Sequence, residues 1–300
     1  MIRDVTGIQK IRMLYLQLLY RCNFSCLHCF HGERLKHADS FSGEEAVGLI
    51  RLMREEYGTE AVTLLGGEPF LYKELAEVVQ YTRQELGMRV EICTNGYRVE
   101  RRLTELAPHL DLLRVSLEGL SGTNDGMRRQ GSYQAALSTP NLARELGVRT
   151  AATMTVTSRN IDEVLPLARI MERFGARQLK LHCLRSVGNA ARHPELLVSD
   201  TTAYSRLRDA LRAANLSIEV VLDEDLSEGG APKICAPSDS PRVIERIEAD
   251  PRGALSMSCK AVGNDSHAFW YEKESGRIIH QPTATDELTL AVPGVIYNHV

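Results

Sequence analysis

Over the first 190 residues, short continuous apolar runs alternate with stretches in which apolar positions recur every three or four places. The runs Met13–Tyr20, Ala61–Leu65, Met88–Cys93, Leu112–Leu117, Val148–Val156 and Arg177–Cys183 predict six strands. The intervening stretches predict helices. Ser42 opens the first, and Glu45 three residues on completes a capping box. Val47, Ile50, Met53 and Tyr57 follow at helical spacing, and Gly58 ends it. Further helices are expected over Lys73–Leu86, Glu100–Ala107, Tyr133–Leu146 and Ile161–Phe174, three of them followed by glycine (Gly87, Gly147, Gly175) and one stopped by Pro108. Strands alternating with helices imply parallel β-α units. Six units predict a partial (β/α)6 TIM-like barrel, with a doubly wound sheet as the alternative.

After Cys183 the rhythm changes. A polar stretch runs to Ser199, a helix is expected over Thr201–Ala214 and a strand over Ser217–Leu222. Residues Asp223–Pro241, rich in Gly, Pro, Ser and acids, read as a loop. Short strands are expected at Ala254–Ser258, His267–Tyr271 and Arg277–His280, the last two joined by a turn at Glu274-Ser275-Gly276. The expected organisation is a core barrel over residues 1–190 and a small α+β cap over 191–300, with the boundary between 190 and 240.

The net charge of −3 and pI near 6.3 demand no basic face, so nucleic acid is not an expected partner. No apolar run approaches the roughly 20 residues of a membrane helix. Met13–Tyr20 is short and interrupted by Gln17, so it reads as a strand and not as a signal peptide. A cytoplasmic, membrane-free protein is expected. The chain has seven cysteines: Cys22, Cys26 and Cys29 sit within eight residues, while Cys93, Cys183, Cys235 and Cys259 are scattered. That distribution fits a metal or cluster site in a reducing compartment better than a disulfide framework.

Three thiolates can hold a four-iron cluster and leave one iron without a protein ligand. Cys22, Cys26 and Cys29 follow directly after the first strand, where parallel α/β folds place ligands. The same residues with His28 or His31 form a possible zinc set, and three incidental buried thiols are the remaining reading. A zinc-binding interaction protein is the alternative from another functional class.

The spacing C-x3-C-x2-C after strand one resembles that of the radical S-adenosylmethionine (SAM) superfamily. Four further segments resemble the motifs of that family in order: Gly66-Gly67-Glu68-Pro69 after strand two, Thr94-Asn95-Gly96 after strand three, Ser116-Leu117-Glu118-Gly119 after strand four, and Asn124-Asp125-x-x-Arg128-x-x-Gly131-Ser132-Tyr133. The resemblance covers about residues 12 to 190. It implies one [4Fe-4S] cluster on Cys22, Cys26 and Cys29, chelation of its open iron by SAM, and reductive release of a 5′-deoxyadenosyl radical that abstracts hydrogen from a substrate. Gly66 and Gly67 are expected to let the backbone approach the ligand, Glu68 to accept from the SAM ammonium, and Pro69 to fix the turn. His28 is expected against adenine. Thr94, Asn95, Ser116 and Glu118 are candidates for the ribose or carboxylate of SAM, although Glu118 stands where Asp is commoner. Arg128 is a candidate partner of the SAM carboxylate, with an ion pair to Asp125 as the alternative. Met154 and Val156 are candidates for packing on adenine, with barrel core as the alternative.

Cys235 and Cys259 lie 24 positions apart with no C-x2-C between them, so no second cluster is expected. Cys93 and Cys183 read as small buried hydrophobes near strand ends. Little chain precedes strand one that could fold as the peptide-binding domain common in peptide-modifying members, which favours a small-molecule substrate. Cys22-Asn-Phe-x-Cys-x-x-Cys29-Phe30-His31 and Gly66-Gly-Glu-Pro-Phe70-Leu71 resemble the viperin-like branch, which acts on a nucleotide. The expected substrate is therefore a nucleoside, nucleotide or sugar compound of natural-product biosynthesis, with C–C bond formation or a redox change as the outcome. A peptide maturase is the alternative. His182, Arg185 and Asn189 are candidate substrate contacts. The resemblance also implies an electron donor such as a flavodoxin or ferredoxin.

Overall fold

The computed structural model describes residues 2–200, 202–222, 242–257, 269–281 and 298–299. The six expected strands are β1 (Ile8–Gln17), β2 (Ala61–Leu65), β3 (Arg89–Thr94), β4 (Leu112–Ser116), β5 (Arg149–Val156) and β6 (Gln178–Cys183). The helices are α1 (Ile2–Thr6), α2 (Gly43–Tyr57), α3 (Leu75–Gln84), α4 (Glu100–Leu106), α5 (Ser121–Met127), α6 (Ser132–Glu145), α7 (Val164–Arg173) and α8 (Ala203–Ala213). The capping box at α2 forms in both directions: the Glu45 N–H donates to Ser42 Oγ at 3.2 Å and the Ser42 N–H to Glu45 Oε2 at 2.8 Å. Val47, Ile50, Met53 and Tyr57 are all buried against the sheet, as their spacing requires.

Strands β1 to β6 pair in parallel in chain order. Two more strands flank them. One, β7 (Glu219–Leu222), pairs with β6; the other, β8 (Arg242–Ala249), pairs in parallel with β1. The parallel array thus has eight strands in the order 8-1-2-3-4-5-6-7, two beyond the six-unit core. Strands β9 (Ala254–Ser256), β10 (Phe269–Glu272) and β11 (Arg277–His280) continue antiparallel from β8. The described strands of the segment 191–300 thus join the same sheet at both ends, β7 beside β6 and β8 to β11 beyond β1. The expected loop at 223–241, and Cys235 and Cys259, lie outside the described residues.

Each strand has one apolar face. Val62, Leu64, Val90, Ile92, Leu113, Val115, Met154, Val156, Leu179 and Leu181 are fully buried in the layer between sheet and helices. The alternate residues turn the other way and are largely polar: Thr63, Glu91, Arg114, Ser116, Thr153, Thr155, Lys180 and His182. The sheet curls around this polar face, because Lys180 Nζ on β6 donates to Tyr15 Oη on β1 across 3.0 Å. The result is a partial barrel whose interior is a site and not an aliphatic core.

Candidate active site

The chain leaves β1 and runs through a loop that carries all three clustered cysteines. Cys26 is buried, and Cys22 and Cys29 are half-buried. All three line one cavity of about 300 Å³. The loop is pinned from two sides. Gly67 N–H donates to Leu19 O (2.7 Å) and Glu68 N–H to Arg21 O (3.0 Å). From the other side, Asn189 Nδ2 donates to Cys26 O (2.9 Å) and the Asn189 N–H to Cys29 O (2.8 Å). The chain crosses there without space for a side chain: a Cβ on Gly188 would stand 2.5 Å from Cys29 O.

Burial pushes the Cys22 thiol up to about 12 and the Cys26 thiol up to about 11, and raises Cys29 as well. Some polarity opposes this. The Phe24 N–H donates to Cys22 Sγ at 3.4 Å, and the N–H groups of His31 and Gly32 draw Cys29 down. Three thiols from one loop, with backbone donors aimed at sulfur, fit an iron–sulfur cluster. The candidate zinc ligands are turned elsewhere: His28 Nε2 meets Glu118 Oε1 at 3.1 Å, and His31 Nε2 meets Gly66 O at 3.2 Å. Among the described residues no group of three His, Cys, Asp or Glu is arranged to hold a single metal ion.

Glu68 is 2% exposed and binds the loop after β3. Its Oε1 accepts from Thr94 Oγ1 (2.7 Å) and the Phe70 N–H (3.1 Å), and its Oε2 from the Asn95 N–H (2.9 Å). Three of roughly four acceptor positions are thereby used. Burial raises its carboxyl despite these donors. Asn95 also reaches back to the cysteine loop, donating from Nδ2 to Asn23 Oδ1 (2.7 Å). Pro69 is buried at the start of the single helical turn Pro69–Leu71.

Gly66 and Gly67 line the cavity, and their lack of a side chain also serves a contact within the chain. A Cβ on Gly66 would stand 2.5 Å from Leu19 O; one on Gly67 would stand 2.2 Å from both Tyr20 O and Arg21 O. The glycines let this loop pack backbone to backbone on the segment that leads to Cys22.

Glu118 lies at the centre of a second buried cluster. It accepts from Arg128 and from the Thr155 N–H (2.7 Å), and it pairs with His28. Burial alone would raise its carboxyl, but His28 and Arg128 hold it down at about 2. Arg128 thus pairs with Glu118 and not with Asp125, which instead accepts from the N–H groups of Gly131 (2.7 Å) and Tyr133 (2.8 Å). His28 Nδ1 and Arg128 Nε are buried without a hydrogen-bond partner. Both residues line the cavity, and these atoms fit an added polar ligand there. Ser116 lines it too, with its Oγ 3.7 Å from Cys93 Sγ.

Met154 and Val156 do not reach the cavity. Both are fully buried among Leu167, Leu181 and their neighbours on the helix side of β5. The period of two decides it: Thr153 and Thr155 take the inner face. His182 and Arg185 line the cavity, whereas Asn189 serves the cysteine loop. Cys93 and Cys183, expected as small hydrophobes, line it as well; Phe30 does so, while Phe70 belongs to the core. Sequence reasoning missed Tyr15, Arg114, Lys180, Arg246 and Glu248, which form the cavity's deep end. The available signal was a charged residue at an inward position of an otherwise apolar strand, as in Leu112-Leu-Arg-Val-Ser and Gln178-Leu-Lys-Leu-His.

A parallel partial barrel with a three-thiol loop after its first strand defines a class of enzymes that hold a cluster at the strands' C-terminal ends. Residues 16–171 match the Radical SAM superfamily, and the chain belongs to that family. Its cofactors are a [4Fe-4S] cluster and SAM. The chain is 28% identical over 190 residues to the mycofactocin maturase MftC of Mycolicibacterium smegmatis, covering 62% of this chain and 47% of that one. It is 24% identical over 161 residues to an S-adenosylmethionine-dependent nucleotide dehydratase of a Thermoplasmatales archaeon, covering 52% and 57%. In fold it is similar to Streptococcus suis SuiB bound to SAM, with a TM-score of 0.70 at 14% identity over 88% of this chain and 64% of that one. The chain thus spans about half the length of these two sequence relatives. Among the described residues no helix is long and apolar enough to cross a membrane.

Proposed function

We propose that this chain is a radical SAM enzyme acting on a small molecule, of the nucleoside, nucleotide or sugar class, with C–C bond formation or a redox change as the outcome. The observation that carries the reading is the single cavity in which the three thiols and the polar inner faces of the strands meet. Cys22, Cys26 and Cys29 hold the cluster. Gly66, Gly67, Thr94, Asn95 and Ser116, with the His28–Glu118–Arg128 cluster, form the wall that receives SAM. The unpartnered His28 Nδ1 and Arg128 Nε are the polar atoms this wall offers to the ligand. When bound, the cluster supplies the electron that splits the SAM sulfonium into methionine and a 5′-deoxyadenosyl radical. The protein's own task is to hold these groups in register and keep water from the radical. The electron comes from a small redox protein such as a flavodoxin or ferredoxin.

The small-molecule reading is supported by the polar barrel interior and by the nucleotide dehydratase among the relatives. The similarity to a maturase supports a second reading, that of a peptide maturase. The discriminating experiment incubates reconstituted, reduced enzyme and SAM with a panel of nucleotides, nucleosides and sugar nucleotides, and separately with candidate precursor peptides. Substrate-dependent 5′-deoxyadenosine with a member of the small-molecule panel is the expected result. Stimulation by peptides alone would overturn it.

A further inference from the structure

The outer side of the cysteine loop carries positive charge. Arg21 immediately precedes Cys22, Arg98 lies just beyond the turn after β3, and Arg129 follows α5. All three are exposed, in a chain whose net charge is −3. Two contacts bring their segments to the loop. The Leu27 N–H donates to Met127 O (2.9 Å), which draws in the end of α5, and Asn95 Nδ2 donates to Asn23 Oδ1 (2.7 Å) from the β3 side. Neighbouring arginines then part: Arg128 turns in to Glu118, and Arg129 stays outside.

The outer arginines are held by rings and carbonyls. The Arg129 guanidinium lies 5.7 Å from the Phe24 centroid and 4.9 Å from that of Tyr97, with Nη1 3.5 Å from Asn23 O. Arg98 lies 5.2 Å from the Tyr97 centroid, on a left-handed backbone at φ +58° that an L residue adopts at a cost. Arg21 donates from Nη2 to Leu71 O (2.8 Å). Among the described residues none of the three makes an ion pair. The acids nearest to Arg98 and Arg129 along the chain are Glu100, which is not paired with either, and Asp125, which accepts from the N–H groups of Gly131 and Tyr133. Phe24 joins this surface to the cavity. It is 6% exposed, lines the cavity, packs on the half-buried Tyr97 at 5.8 Å, and its N–H donates to Cys22 Sγ at 3.4 Å.

We propose that the face formed by Arg21, Arg98, Arg129 and Tyr97 is the docking surface for an acidic redox protein that delivers the electron to the cluster. The inference rests on the reading above, in which a small redox protein supplies that electron, and gives the partner a place and a charge. Unpaired positive charge outside the loop steers an acidic partner and fixes its orientation. Arginine and tyrosine are the residues that most often carry binding energy at an interface, and here the guanidinium groups are already seated on the ring. Electron-transfer encounters bury little surface, so a patch of this extent suffices.

The test is direct binding of the cluster-loaded protein with SAM to immobilised flavodoxin and, separately, to an acidic ferredoxin, at low and high ionic strength. Expected is saturable binding to at least one of them that weakens as salt is raised. Arg21→Glu and Arg98→Glu should each weaken it about fivefold at low salt, as attraction gives way to repulsion at an exposed site. Arg173→Glu is the control. It makes the same charge change in the last turn of α7, which leads into the start of β6 at the far end of the barrel, and should bind like wild type. Iron content and the yield of 5′-deoxyadenosine with excess dithionite should match wild type in all three variants. No saturable binding of either donor, binding undiminished in both Arg21→Glu and Arg98→Glu, or an equal loss in Arg173→Glu would overturn the proposal. So would a face that binds acidic precursor peptides and neither donor. Its failure separates from failure of the small-molecule reading. Donor binding lost in the two variants, with turnover supported only by peptides, leaves the docking face standing. Turnover of a small molecule with dithionite, without saturable donor binding, removes the docking face alone.

Discussion

Replacing Gly67 by alanine tests how the cysteine loop is held. The added Cβ would stand 2.2 Å from two carbonyl oxygens, Tyr20 O and Arg21 O, more than an ångström short of the 3.4 Å at which ordinary contact begins. Both obstacles are backbone, so neither can rotate aside, and Arg21 immediately precedes Cys22. Overpacking by one methyl typically costs about 1–3 kcal/mol, and backbone obstacles place this one near the upper end. For a chain of this size that corresponds to a fall of roughly 6–12 °C in the unfolding midpoint. Gly87→Ala is the reference. Its φ is +61° and nothing lies within 4 Å of its added Cβ, so only the left-handed backbone cost of about 1–2 kcal/mol applies. The assay is thermal and urea unfolding of the cluster-free proteins, with iron content measured after reconstitution. Gly67→Ala should be the less stable of the two and should load less iron. If it unfolds like Gly87→Ala, loads a full cluster and loses only SAM affinity, the glycine serves the ligand and the packing argument is wrong.

Glu118→Gln removes the anion between His28 and Arg128 and should cost the cluster-free protein about 3 kcal/mol near pH 7. The Glu118 carboxyl sits at about 2 against an ordinary value of 4.5, so its contribution is present above pH 4.5 and is lost as pH falls toward 2. The difference in urea midpoint between wild type and Glu118→Gln should therefore shrink between pH 7 and pH 3, and a constant difference would count against the ion cluster. Asn189→Ala loses its bond to Cys26 O, worth about 1 kcal/mol, and should release iron to a chelator faster than wild type. An unchanged release rate would mean that Asn189 does not hold the loop. Met154→Leu should cost less than about 1.5 kcal/mol and leave the SAM dissociation constant unchanged, because Met154 packs on the helix side of β5. Weakened SAM binding by the folded variant would return Met154 to the cavity.

The elements with strong local signals are legible in the amino-acid sequence. The α2 capping box, the β2 bounds and the cysteine loop are all set by residues within a few positions of one another. What is not legible depends on which way a correctly placed strand faces. Met154 and Val156 are the apolar alternates of β5, and in a barrel whose interior is the site the polar alternates Thr153 and Thr155 turn inward. Strand β8 is hidden because Arg242, Glu245, Arg246 and Glu248 break its apolar pattern. Two of these charges line the cavity deep in the barrel, an environment that only the tertiary fold creates. Gly66-Gly67 is legible as a loop of special backbone, but its neighbours come from residues 19–21, some 45 positions earlier. Arg128 finds Glu118, ten residues away, in preference to the nearby Asp125, whose carboxylate is occupied at the start of α6.

The most direct test of the central claim is product analysis on the anaerobically reconstituted protein with SAM and a strong reductant. Wild type should take up four irons per chain and form 5′-deoxyadenosine and methionine, and the variant with Cys22, Cys26 and Cys29 all replaced by Ala should do neither. A wild-type protein that binds zinc, takes up no iron and sulfide, and forms no 5′-deoxyadenosine under any substrate condition would contradict the account.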